Sequence, residues 1–147
     1  DLIELIDYVI KTYEKIISKN NISIKFNKTD NFKIIGDRDK LIEIFTNLID
    51  NSIKYSDKNK EITITAKKDG EFNTVSVADQ GIGIPKESIH RITERFFTVD
   101  PSKSRSVGGT GLGLAIVKHL VSQHRAEMDI NSVENEGTTI DIKFNSL

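Results

Sequence analysis

Six of the nine glycines in this 147-residue chain fall between Gly81 and Gly113, in two groups: Asp79-Gln80-Gly81-Ile82-Gly83 and Gly108-Gly109-Thr110-Gly111-Leu112-Gly113. Glycine clustered in this way lets backbone come close to a bound group. The second group opens a segment of helical spacing. Its unpaired N–H groups and the positive end of the helix dipole can therefore face an anion with no side chain in between. An exposed helix terminus contributes only about 0.3–1 kcal/mol to such a contact, too little to hold a triphosphate in water, so a cation has to assist.

Asn47, Asn51, Lys54 and Tyr55 share one face of a helical pattern and supply the means. The uncharged amide oxygen of Asn51 suits magnesium, which keeps most of its waters and binds largely through a substrate's phosphate oxygens. Lys54, one turn further on, can reach the same phosphates as a point charge. Asp79 ends an apolar strand pattern. A partly buried carboxylate there needs a donor, and the exocyclic amine of adenine is one, whereas guanine would present a carbonyl oxygen. Taken singly, each feature has a plain structural explanation: a glycine pair makes a turn, two asparagines are solvated helix positions, and an aspartate forms a turn. Neither the G-x-x-x-x-G-K-[ST] loop nor a G-x-G-x-x-G between strand and helix is present, so the cradle belongs to another fold.

The elements that must position these residues follow from apolar periodicity. Leu2, Leu5, Ile6, Val9, Tyr13, Ile16 and Ile17 recur at helical spacing and predict one amphipathic helix over 2–17. Period two at Ile22, Ile24 and Phe26 predicts a strand, and a second short strand is expected to end at Ile34-Ile35-Gly36, followed by a helix cap at Asp37. Leu41, Ile44, Phe45, Leu48, Ile49 and Ile53 form the core stripe of a helix over 39–55. Two alternating runs, Ile62/Ile64/Ala66 and Phe72/Val75/Val77, flank Asp69-Gly70, a strong hairpin signal. A short helix is expected from Pro85, a mobile loop over 98–109, a helix over 112–123, and two closing strands over 128–132 and 138–144 joined through Glu136-Gly137. Helices interspersed with hairpin-linked, alternating strands give an α+β fold, a two-layer α/β sandwich whose mixed sheet is covered by helices on one face.

Composition narrows the function. The length fits a single domain, 1–147, with no linker or repeat. A net charge of -1 gives no global attraction to nucleic acid or anionic lipid. The absence of cysteine excludes disulfides, thiolate metal sites and a cysteine nucleophile, and accords with a cytoplasmic setting. No apolar run approaches the roughly 20 residues that span a bilayer, and the acidic start at Asp1 is not a signal peptide.

In order along the chain, Asn47-Leu-Ile-Asp-Asn51-Ser-Ile-Lys54-Tyr55, Asp79-x-Gly81-x-Gly83, Arg95-Phe96-Phe97 and Gly109-Thr110-Gly111-Leu112-Gly113-Leu114 resemble the N, G1, F and G2 boxes of sensor histidine kinases. Gly137-Thr138-Thr139 resembles the family's last glycine motif. The resemblance covers nearly the whole chain. It implies the Bergerat ATP-binding fold shared with DNA gyrase, the HSP90 chaperone and the MutL repair protein. Asn51 would hold magnesium, Asp79 would bind adenine with Gly81 and Gly83 beside it, and Tyr55 would lie against the base. Gly109, Thr110, Gly111, Leu112 and Gly113 would face the phosphates. Residues 98–109 would be the ATP lid, with Lys103 and Arg105 as candidates to touch the γ-phosphate, although basic residues also serve to keep a loop soluble. Phe96 and Phe97 would anchor the lid or dock on the histidine-bearing helices, with one of them expected in the core.

Asn47 stands where the ATP-hydrolysing relatives and the anti-sigma-factor serine kinases are expected to carry a glutamate general base. An amide cannot take that proton, so base catalysis worth typically 10²–10⁴-fold is missing and hydrolysis should be poor. Phosphoryl transfer to histidine suits such a site, because imidazole is already nucleophilic. The acceptor must come from elsewhere, since His90, His119 and His124 lack the family's His-Glu-x-x-Arg-Thr-Pro context. His119 and His124, near the end of the last long helix, are read as surface residues that complement its dipole. The resemblance further implies a domain that is monomeric alone, cytoplasmic, and cut from a membrane-anchored homodimer just after its histidine-bearing dimerisation domain, with a response regulator downstream. The alternatives are a degenerate nucleotide-binding signalling module and a serine kinase or ATPase of the same fold. One departure stands out: His124-Arg125-Ala126 replaces the glycine pair usual after the last long helix, which puts that turn in doubt.

Overall fold

The computed structural model describes residues 1–28, 33–56, 60–97 and 113–147. Helix α1 (Leu2–Thr12) starts at Asp1, whose carboxylate accepts the Glu4 N–H at 3.1 Å, and buries Leu2, Leu5, Ile6 and Val9. The single helix expected over 2–17 is in fact two. The chain bends at Tyr13, where the backbone leaves helical geometry and the phenol donates to the Thr46 carbonyl at 3.3 Å, and α2 (Glu14–Lys19) continues in a new direction. Beyond the bend the two apolar residues part: Ile16 is 45% exposed, while Ile17 still packs partly on the core.

Strand β1 (Ser23–Lys28) follows, then α3 (Arg38–Tyr55), the hairpin β2 (Glu61–Asp69) and β3 (Phe72–Ala78), a 3-10 segment (Lys86–Arg91), α4 (Gly113–Gln123), and the hairpin β4 (Glu127–Val133) and β5 (Gly137–Asn145). The strand expected to end at Ile34-Ile35-Gly36 is not formed by described residues 33–37. Ile34 packs partly on the core, Ile35 is 84% exposed, and Gly36 runs against Leu41 and the His124 ring, so this stretch acts as an irregular lead-in to α3. Asp37 caps α3 as expected, accepting the Lys40 N–H at 3.1 Å. Pro85 precedes the 3-10 segment as its cap rather than as its first helical residue.

The sheet is mixed, in the order β1-β2-β3-β5-β4, with β1 parallel to β2 and every other pairing antiparallel. Its register aligns Phe26, Ile64, Val77, Ile140 and Ile130 in one row across all five strands. That face meets the apolar sides of the helices, with α3 packed between α1 and α4 and against β3. The opposite face is polar: the Ser76 hydroxyl donates to Asp141, and Lys143 pairs with Asp129 at 3.3 Å. Period-two patterning thus produces a sheet covered on one side, as an alternating sequence requires.

The turn after α4 is resolved without glycine. The Arg125 N–H reaches the Ser122 carbonyl at 3.0 Å and the Ala126 N–H reaches the Val121 carbonyl at 3.1 Å, the two bonds of a Schellman C-cap. Arg125 occupies its left-handed position at φ +53°. A side chain there costs about 1–2 kcal/mol, partly offset in glycine by the larger entropy loss on folding. Arg125→Gly is therefore expected to stabilise the chain by roughly 1 kcal/mol, a rise of about 2–4 °C in melting temperature by calorimetry; an unchanged or lower midpoint would show that the arginine side chain offsets its backbone strain.

Candidate nucleotide site

Helix α3 buries Leu41, Ile44, Phe45, Leu48 and Ile49 and leaves Asn47 and Asn51 half-buried on the side facing the start of α4. The Asn47 Nδ2 donates to the Glu43 carbonyl at 2.9 Å, which fixes its amide plane. A Cβ placed on Gly113 would lie 3.5 Å from the Asn47 Oδ1 and 3.6 Å from the Asn51 Oδ1. The N-terminal end of α4 and two amide oxygens are thereby brought together. This donor set fits a hard, hydrated divalent cation held mostly by a nucleotide's own oxygens. Among the described residues no group of three His, Cys, Asp or Glu side chains assembles an all-protein metal cage.

Asp79 continues from the end of β3 and is anchored from both sides. Its Oδ1 accepts the Gly81 N–H at 3.0 Å and the Thr138 N–H at 3.1 Å, and Ser52 further favours the charged carboxylate. Burial pushes its pKa above the ordinary 3.8, and the two backbone hydrogen bonds and Ser52 only partly counter that rise. Ser52, 5% exposed, and Thr138 belong to this site and were not singled out for it by the sequence: the role of each is a contact across the fold, with no local signal beyond lying next to Asn51 and Gly137.

The glycines divide by what presses on them. A Cβ on Gly81 would sit 2.3 Å from the Tyr55 carbonyl oxygen, one on Gly83 (φ +71°) 2.2 Å from the Val133 oxygen, and one on Gly137 (φ +142°) 2.1 Å from the Asp79 oxygen. All three admit neighbouring backbone. Gly113 alone of the four has room for a methyl group. The Ile82 N–H also bonds to the Tyr55 carbonyl at 3.1 Å, and the Asn135 N–H bonds to the Ile82 carbonyl at 2.7 Å, so the Gly81–Gly83 loop is stitched to α3 on one side and to the β4–β5 turn on the other.

Lys54 lies on the expected helix, and its ammonium pairs with Asp50 at 2.9 Å. Tyr13 lies near the same carboxylate, and burial together with Asp50 pushes its phenol up to about 12. Neither Phe96 nor Phe97 joins the core as expected of one of them. Phe96 is 72% exposed at φ +65°, and Phe97 is half-buried with the Arg91 guanidinium 4.6 Å from its ring centre. His124 is not a free surface residue either: its Nε2 accepts the Asp37 N–H at 3.1 Å and its Nδ1 lies 2.8 Å from the Leu120 carbonyl. Lys103, Arg105, Gly109, Thr110, Gly111 and Leu112, and with them the expected lid, lie outside the described residues. A hollow of about 280 Å³ between the start of α1 and Leu41 and a groove of about 610 Å³ between the 3-10 segment, α4 and β4 include no residue of the Asn51–Asp79 constellation.

The chain thus combines a mixed sheet covered on one face, a half-buried carboxylate just past a strand end, and the start of α4 opposite two asparagines. Residues 36–146 match the family of histidine kinase-, DNA gyrase B- and HSP90-like ATPases, and the chain belongs to that family. It is 34% identical over 98% of its length to the sensor-like histidine kinase SenX3 of Mycolicibacterium smegmatis, of which it spans 38%, and 42% identical over 71% of its length to the sensor histidine kinase WalK of Bacillus subtilis, of which it spans 17%. Among solved structures it resembles the mycobacterial sensor histidine kinase MprB (TM-score 0.86, 29% identity, covering 99% of this chain and 95% of that one) and the catalytic domain of histidine kinase ThkA (TM-score 0.87, 29%, 99% and 95%). The fold expected from the sequence is thus the one observed. The chain spans well under half the length of these curated relatives, and no helix among its described residues is long and apolar enough to cross a membrane.

Two outcomes follow from this geometry. Gly81→Ala is expected to lower the melting temperature, because its Cβ meets backbone, whereas Gly113→Ala should fold at least as stably, since alanine is the better helix former by up to about 1 kcal/mol, yet bind nucleotide more weakly. Equal melting temperatures for the two variants would contradict this division. For Asp79, the folded pKa lies above the unfolded one, so the stability it contributes is present below the unfolded pKa and lost as pH rises through the folded value. Asp79→Asn should therefore melt no lower than wild type at pH 7, with any advantage shrinking as the pH falls into the carboxylate range, while its affinity for ATP drops.

Proposed function

We propose that residues 1–147 form an ATP-binding catalytic domain that binds ATP with magnesium and donates the γ-phosphoryl group to a histidine on a separate dimerisation domain. The observation that carries this reading is the half-buried Asp79 carboxylate, pinned through Oδ1 by two backbone N–H groups. Its remaining acceptor capacity suits the exocyclic amine of adenine and is mismatched to guanine, because a buried acceptor facing a carbonyl stays unpaired. Asn51 is the residue assigned to magnesium, which when bound neutralises charge on the phosphate oxygens. Gly113 and the preceding Gly109-Thr110-Gly111-Leu112 face the phosphates in this reading, Lys54 is their point charge, Tyr55 flanks the base, and Lys103 and Arg105 act on the γ-phosphate.

Asn47 supports transfer to nitrogen over hydrolysis. Its Nδ2 is spent on the Glu43 carbonyl and its Oδ1 is a neutral amide oxygen, so neither atom can take a proton from an attacking water or serine hydroxyl. An unprotonated imidazole nitrogen needs no such base: the P–O bond to ADP breaks as the P–N bond forms, and the protein supplies position and charge neutralisation. Relatives named as sensor kinases, all much longer than this chain, support a parent that also carries the dimerisation domain, a membrane anchor and a response regulator as downstream partner.

Calorimetric titration of the chain with ATP and GTP, with magnesium and with chelator, tests the reading. Saturable binding of ATP over GTP that weakens on chelation is expected, and Asn51→Ala should remove the magnesium dependence. Mixed with a histidine-bearing domain, the chain should transfer phosphate to histidine far faster than it releases free phosphate. Failure to bind ATP would overturn the proposal; binding without transfer would leave a nucleotide-sensing module instead.

A further inference from the structure

Helix geometry places Lys54 between two rivals. At 100° per residue, Lys54 is roughly 60° from Asn51 on one side and roughly 40° from Asp50 on the other. The Asn51 side, shared with Asn47, faces the start of α4 at Gly113. The Asp50 side turns toward the end of α1, where the Tyr13 hydroxyl bonds to the neighbouring Thr46 carbonyl. In the structure the ammonium of Lys54 sits on the Asp50 side, 2.9 Å from its Oδ2, with both side chains about one-third exposed.

We propose that Asp50 is an affinity-setting residue: it holds Lys54 on the Tyr13 side of α3, and a nucleotide has to draw the ammonium off this carboxylate to engage it with phosphate. The inference rests on the reading of Lys54 as a phosphate ligand. An i,i+4 pair at this exposure is weak enough to be displaced, since such pairs contribute only a few tenths of a kcal/mol. A triphosphate carries several negative charges and outbids a single carboxylate for one ammonium. The pair is therefore suited to tune binding without blocking it, and it leaves Lys54 in a defined place while the site is empty.

The test is a double-mutant cycle read as the dissociation constant for ATP with magnesium at fixed ionic strength. Asp50→Asn keeps the side-chain shape and removes the charge, and it should tighten ATP binding by about 1.5- to twofold, the scale of a partly exposed i,i+4 ion pair. Lys54→Met should weaken binding, and in that background Asp50→Asn should lose at least half of its effect, because no ammonium is left to release. If Asp50→Asn binds no tighter, or tightens binding equally in both backgrounds, Asp50 acts at most through its long-range field and the proposal fails. If Lys54→Met binds as wild type does, the phosphate role of Lys54 falls and the competition with it, a result separable from the first because it leaves ATP selectivity and magnesium dependence intact.

Discussion

The close approach of three backbone segments around Asp79 is the constraint on which the rest of the site depends. The end of α3, the loop after β3 and the start of β5 converge until carbonyl oxygens of Tyr55 and Asp79 stand where Cβ atoms of Gly81 and Gly137 would be. Only glycine permits that convergence, and the convergence gives Asp79 its two backbone donors. With one carboxylate oxygen saturated and the group half-sunk in the core, its position is set by main chain rather than by a flexible partner. With the Asp79 carboxylate just past the end of β3 and the amide pair on α3, both walls of the candidate site are carried by regular elements.

The same partial burial is unfavourable to the ionised form of Asp79. Desolvation raises its pKa, and the two backbone hydrogen bonds and Ser52 offset that only in part. In the proposed reading, a donor supplied by a ligand would offset that cost. Asp50 and Lys54 add a second adjustable element on the neighbouring turn. The two differ in kind: one is a buried charge fixed by backbone, the other an exposed pair that solvent screens.

At the far end of α3, His124 ties the close of α4 to the cap of α3 through the Asp37 N–H, with Gly36 leaving space for its ring. Helices α3 and α4 are thus joined at one end by this imidazole, while at the other they present Asn47, Asn51 and Gly113 to one another. The left-handed Arg125 next to it shows that the Schellman turn is dictated by the packing of α4 onto β4, strongly enough to accept a residue that glycine would replace with less strain.

Much of this was legible in the residues. Period two and period 3.6 fixed the hairpins, the covered face of the sheet and the core stripe of α3, because burial on one side imposes those repeats wherever the chain goes. The asparagines, Asp79 and the glycine groups together pointed to the nucleotide site proposed above. What the chain could not disclose by itself were the choices among locally equal options. The first helix is interrupted at Tyr13, whose hydroxyl meets a carbonyl 33 residues away. Ile34 and Ile35 read as a strand yet find no neighbour to pair with, and Lys54 reads as a free cation yet leans on Asp50. Gly81 and Gly113 look alike in sequence, and only the fold decides that the first admits the Tyr55 carbonyl while the second opens toward Asn47 and Asn51. Periodicity is a property of one segment and can be read from it; steric necessity and ion-pair choice are properties of pairs distant in the chain or side by side on a helix, and they exist only once tertiary packing has brought the partners to a distance.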